Sequence, residues 1–147
     1  MAANYILTFP PSDNFEGGQP VIINLESWSW GARDKGDGGG GTPHPIDLSI
    51  VKQFDKTSPG LFVACAAGTH LPKAKLLGTT TTQGGQEKLV LEVDFDNLLV
   101  DSFHQRGSVG GGNLPLEEVT FDFTSVKVVV IDGDIEGGWN FALNRSV

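Results

Sequence analysis

Cysteine is nearly absent. Cys65 is the only one among 147 residues, which excludes an internal disulfide and a multi-cysteine zinc site. Basic side chains are scarce too: 10 Lys and Arg stand against 18 Asp and Glu, a formal net charge of -8. Phosphate backbones and anionic headgroups repel such a chain, which argues against a nucleic-acid partner and against membrane insertion. No run approaches the ~18 consecutive apolar residues of a membrane helix. The opening residues lack the basic stretch and apolar centre of a secretory signal peptide. The sequence is therefore expected to fold in a cytoplasm, with any export left to a signal-independent machine.

Glycine is abundant, at 20 residues, about twice the usual share of ~7%. That disfavours an all-helical protein and suits turns, bulges and loops. Apolar residues make up 39% and charged residues 19%, as in an ordinary globular chain. The length fits one domain of ~100–150 residues, large enough to bury roughly 68–70% of its unfolded surface without a staple.

The patterning is mostly that of strands. Residues 5–9 are a short β-prone run, ended by Pro10 and Pro11. Over residues 21–33, Val21, Ile23 and Leu25 alternate, and then Trp28 and Trp30 take the other parity. Ile46, Leu48 and Ile50 alternate in a strand over 46–54, and further strands are expected over 74–82, 87–103 and 116–131. In the fifth of these six, Leu89, Leu91, Val93 and Phe95 give way to Leu98 and Val100. In the sixth, Val119, Phe121 and Phe123 give way to Val126, Val128 and Val130. A strand changes faces only at a bulge, a bend or a new covering partner. Three such switches predict strands that turn corners between packed layers. The expected fold is mainly β: a small antiparallel β-barrel of two packed sheets with one short flanking α-helix. A Gly84-Gly85 hairpin turn joins the strands at 74–82 and 87–103.

That helix is expected over 59–67, with Ser58 as N-cap, Pro59 at the first position and Gly68 just past the end. Leu61, Phe62, Cys65 and Ala66 form its apolar stripe, so Leu61, Phe62 and Cys65 are the expected helix core. About nine residues do not hold a helix alone in water, so it must pack on a sheet.

Motifs for chemistry are weak. The run from Gly36 to Gly41 lacks the Lys-Ser/Thr ending of a phosphate loop and opens no helix. Asp132, Asp134 and Glu136 imitate a calcium loop without its closing glutamate. His44, His70 and His104 have no metal-ligand spacing. Cys65 reads as a small core residue and Asp94 with Asp96 as a solvated face. No catalytic, metal or cofactor site is expected.

Several motifs in fixed order resemble the hemolysin-coregulated protein (Hcp) family, the tube proteins of type VI secretion systems. They are Ser27-Trp28-Ser29-Trp30-Gly31, then IDLSIVKQFDKTSPGLFVACAAGTHLPKAKL at 46–76, KLVLEVDFDNLLVDSF at 88–103, GSVGGGNLPLEEVTFDFTSVKVVV at 107–130 and GGWNFALN at 137–144. The resemblance implies a single tube-protein domain over 1–147 and a structural role rather than an enzymatic one. It also implies homohexameric rings stacked into a hollow tube. A contractile sheath would expel this tube with a VgrG-type spike at its tip, and secreted effectors would ride in the lumen. Assembly would be cytoplasmic and the destination extracellular or inside a target cell. Ring closure by cyclic symmetry needs head-to-tail contacts. The expected contributors are Val21, Ile23 and Trp30 from one long strand, and Val126, Val128 and Val130 from another. The strand carrying Trp28 and Trp30 borders the channel in the resembling family, which implies that Ser27 and Ser29 face the lumen. The competing reading is a monomeric β-sandwich that binds sugar or peptide, resting on exposed Trp28 and Trp30 as stacking platforms.

Overall fold

A computed structural model describes residues 3–11, 15, 19–34, 42–110, 114–131 and 135–147. The glycine run 36–41, Asp132 and Asp134 lie outside the described residues. The elements in order are β1 (Ala3–Phe9), β2 (Val21–Asn24), β3 (Ser27–Asp34), β4 (Pro43–Gln53), α1 (Ser58–Ala67) and β5 (His70–Thr81). They are followed by β6 (Glu87–Arg106), β7 (Leu116–Asp122), β8 (Ser125–Val130), β9 (Ile135–Asn140) and β10 (Arg145–Ser146).

All strand pairs are antiparallel. The organising element is β6, a strand of 20 residues. One of its edges pairs with β5 over Glu87–Leu99, from His70↔Leu99 to Thr81↔Glu87. The other edge is shared end to end: β8 pairs with its first half, Leu91–Asp96, and β7 with its second, Leu99–Arg106. At that division the sheet forks. One branch, β7-β4-β3, folds back over β5-β1-β2 to enclose the core; the other, β8-β9-β10, continues as a wing.

Each expected parity switch has a physical cause here. At Asn97 the backbone adopts φ 53°, the left-handed region that Asn tolerates better than most residues. There the buried set passes from Val93 and Phe95 to Leu98 and Val100. Alongside, 116–131 is not one strand but two, β7 and β8, parted at Phe123 and Thr124. The Thr124 N–H donates to the Asp96 carbonyl and the Asn97 amide donates to Thr124 Oγ1 at 2.9 Å, so both chains bend together. The stretch 21–33 also divides, into β2 and β3. Leu25 N–H donates to Tyr5 O in one layer and Glu26 N–H to Val51 O in the other. The backbone crosses between layers there, joining them without a continuous ladder.

The core holds Leu7, Ile23, Leu48, Ile50, Leu61, Leu71, Leu76, Phe95, Leu98 and Phe121, all essentially inaccessible. Helix α1 packs chiefly on β6. Gly68 ends it at φ 65°, as expected, but Thr57, not Ser58, is the N-cap and makes no side-chain cap bond. Ser58 is drawn inward. Its hydroxyl donates to Glu117 Oε1 at 2.7 Å and accepts from Lys52 Nζ at 3.1 Å. Lys52 also contacts Glu117 Oε1 at 2.6 Å, with both side chains fully buried. The pair ends the inner face of β4 and β7, after Leu48↔Phe121 and Ile50↔Val119.

The helix core is corrected in one residue. Leu61 is buried and Cys65 half-buried, but Phe62 is 57% exposed. Leu61 to Ala67 is apolar or small on every side, so periodicity alone does not choose a face. The fold buries Leu61 and Ala64, and Phe62 makes a T-shaped contact with Phe103, with ring centroids 5.9 Å apart.

Candidate functional site

Two surfaces are available for contact with other molecules: the outer face of β3-β4-β7-β6 and the inner face of the wing. Directly paired residues share a face of a sheet, so the first can be read from the register. Ser29 pairs with Ser49, Ser49 with Thr120, and Thr120 with Ser102. Four hydroxyl side chains thus lie in one row across four strands. Ser102 Oγ and Thr120 Oγ1 are 2.5 Å apart. On one side of this row runs Ser27–Val51–Glu118–His104. On the other lie Asp47, Asp122 and Asp101, whose carboxylate oxygens fall within 4.8 Å of one another. Burial lifts the Asp47 carboxyl to about 7, helped by hydrogen bonds to and repulsion from Asp122 and then Asp101. Ser27 and Ser29 are both exposed and sit on this face.

The opposite parity of β3 carries Trp28 and Trp30, both half-buried. Trp30 packs edge-on against Phe95 at 5.7 Å and Phe123 at 6.2 Å, and Trp28 meets Tyr5 at 5.4 Å. The indoles are core walls. They are not open stacking platforms, which removes the observation behind a sugar-binding module.

The wing's inner face begins in the core and ends outside it. Val126 is 5% exposed, Val128 half-buried and Val130 46% exposed. Val130 pairs with Leu91 on one side and with Ile135 on the other, and Ile135 is 64% exposed. This corrects half of the expected interface set. Val21, Ile23 and Val126 are core side chains, because the parity that looked like a second apolar face is the inner one. Val128 and Val130 lie where the cover runs out, and Trp30 lines the core.

The remaining candidates do not converge. His44, His70 and His104 are exposed and far apart in the topology, and His70 Nδ1 sits 3.1 Å from Asn97 Oδ1. Asp96 and Asp94 occupy the outer face of β6, paired with Lys73 at 3.0 Å and Lys75 at 3.7 Å. Burial, followed by a hydrogen bond with Glu92, raises the Asp94 carboxyl above its usual range. No helix among the described residues is long and apolar enough to cross a membrane.

Sequence patterning carried a signal for residues not singled out above. Asp47 and Ser49 alternate with Ile46, Leu48 and Ile50, and Thr120 and Asp122 alternate with Val119, Phe121 and Phe123. Their outward direction was legible; their meeting across β3-β4-β7-β6 depends on register.

The architecture is a folded-over antiparallel sheet with a shared central strand and one flanking helix, the class of fold that the comparisons with known proteins identify. The family model described as "Type VI secretion system effector, Hcp" matches residues 16–129, and the chain belongs to the Hcp family. It is 35% identical to Protein hcp1 of Pseudomonas aeruginosa over 108 residues, covering 67% of this chain and 65% of that protein. The fold is similar to the crystal structure of Hcp1 from Salmonella typhimurium, with TM-score 0.80, 26% identity, and 99% and 100% of the two chains covered. It also resembles the secreted protein Hcp3 from Pseudomonas aeruginosa, with TM-score 0.74, 14% identity, and 95% and 98% covered.

Proposed function

We propose that this chain is a tube subunit that closes head to tail into hexameric rings. The rings stack into a hollow tube that works with a contractile sheath and a VgrG-type spike and carries effectors in its lumen. The observation that carries the reading is the wing. Its inner face leaves Val130 and Ile135 exposed beside Leu91 and Val128, an apolar margin that a neighbouring copy would cover. A ring also uses up open sheet edges such as the short β10, which otherwise invite irregular pairing. The polar face bearing Ser27 and Ser29 then lines the channel, and its small hydroxyls leave the bore wide. The role in this reading is structural.

Light scattering after size exclusion tests the assembly. The native chain is expected near six subunits. Val130→Asp is expected to give a folded monomer, since it places a charge on the margin without opening the core. A native monomer at high concentration would overturn the reading. A Val130→Asp ring would overturn this interface.

A further inference from the structure

On the inner face of β4 and β7 a charged pair sits among apolar ones. Lys52 stands directly opposite Glu117, next to Ile50↔Val119 and Leu48↔Phe121. Both side chains are fully buried, with Nζ 2.6 Å from Oε1. The polar atoms around them are all engaged. An ammonium has three protons to donate, and Lys52 Nζ has three acceptors: Glu117 Oε1, Ser58 Oγ at 3.1 Å and Asp55 Oδ1 at 3.2 Å. Ser58 Oγ also accepts from the Asp55 N–H at 3.0 Å, and it donates to Glu117 Oε1. Glu117 Oε2 accepts from Gln105 of β6 at 2.6 Å. The start of α1 takes part: Thr57 makes no side-chain cap bond, and Ser58 is turned inward instead.

A buried ion pair adds little net stability over apolar side chains of similar volume, because desolvation offsets the attraction. A network with every member satisfied does something else: it fits one arrangement and penalises others. A slip of one residue between β4 and β7 is already forbidden, since it would turn the apolar set of one strand out to solvent. A slip of two returns every side chain to its own face and sets Ile50 against Phe121, apolar on apolar. The charged pair tells these two registers apart. After the slip Lys52 stands opposite Val119, and a buried ammonium and a buried carboxylate each lose their partner.

We propose that Lys52, Glu117 and Ser58 form a register pin, which selects the pairing of β4 with β7 and seats the start of α1 over it without adding net stability. The hydroxyl row of Ser29, Ser49, Thr120 and Ser102 exists only in the pinned register. The pin is complete within one chain, so it holds whatever that chain assembles into.

Disulfide trapping tests this on the whole chain with Cys65→Ala, which removes the only cysteine of the sequence. Ser49→Cys with Thr120→Cys reports the native register, because these residues are direct partners. Ser49→Cys with Asp122→Cys, and Ser49→Cys with Glu118→Cys, report slips of two residues in either direction. In the native register those pairs are offset by about 7 Å along the strands. Added to the spacing between strands, that exceeds the ~7 Å that a disulfide spans between Cα atoms. With Lys52 and Glu117 present, only the native pair is expected to close under mild oxidation. In Lys52→Met with Glu117→Leu the offset pairs should close at least about tenfold faster, while the urea midpoint stays close to that of the charged protein. A double variant that traps the native pair alone overturns the proposal. So does one that fails to fold, or whose offset pairs close only in proportion to lost stability, because Lys52 and Glu117 would then be a plain stabilising contact.

Discussion

Leu61 and Phe62 are neighbours in sequence and opposites in environment. Leu61 is inaccessible, so Leu61→Ala removes buried methyl groups and leaves a cavity; a loss of about 2–5 kcal/mol is expected. Phe62 keeps more than half its surface in water and one edge contact with Phe103, so Phe62→Ala should cost no more than about 1 kcal/mol. Urea titrations of the two variants check the order, and a larger loss for Phe62→Ala would reverse the assigned helix face. A second residue-scale expectation concerns Asp47. Its carboxyl titrates at about 7 in the fold against 3.8 in an open chain, so it binds its proton more tightly when folded. Between those values the native state carries the extra proton, and stability falls as pH rises through that window. Asp94, also raised, acts in the same direction. Melting temperature is therefore expected to increase from pH 8 down to about 5, with a shallower slope in Asp47→Asn. An unchanged slope would remove Asp47 from the account.

At the scale of elements, the corner at Asn97 and the anchor beneath α1 decide how the layers meet. Asn97→Gly and Asn97→Ala lose the same hydrogen bonds, to Thr124 and His70. Only alanine carries a Cβ into the left-handed region, so it should be less stable than the glycine variant by about 1 kcal/mol. Equal thermal midpoints would show that the corner is set by the sheets and not by that residue. The Lys52–Glu117 pair ties β4, β7 and Ser58 of α1 together, and Gln105 donates to the second Glu117 oxygen at 2.6 Å. Lys52→Met leaves a buried carboxylate without its cation and should cost about 3–5 kcal/mol. Lys52→Met combined with Glu117→Leu removes both charges and should recover much of that loss in the same denaturant assay. A double variant weaker than the single would show that the pair's own attraction outweighs its burial cost.

At the scale of the molecule, most strands and the helix were legible because alternation and capping are local. The parity switches pointed correctly to corners, yet not to the breaks between β2 and β3 or between β7 and β8, where hydrogen bonds from another layer end the ladder. Lys52 and Glu117 fall in phase with Ile50 and Val119, a readable sign of a buried pair that an emphasis on apolar residues passes over. Val21, Ile23 and Val126 were misplaced because a strand's pattern tells its two faces apart without saying which is covered. The wing could not be foreseen either, since it exists only because β6 outruns β7 and leaves its other half to β8.

That division of β6 has a mechanical side. Its 20 residues are a single covalent chain belonging to both branches of the fork, with a contour of roughly 65 Å at ~3.3 Å per residue. Force on the wing therefore enters the enclosed core through peptide bonds and not only through side-chain contacts that slide. Its flanking ladders with β5, β7 and β8 lie in shear when β6 is pulled lengthwise, so many hydrogen bonds share the load before any one yields. A push on one edge of the subunit is thus carried across its full width, as along a beam clamped on both sides.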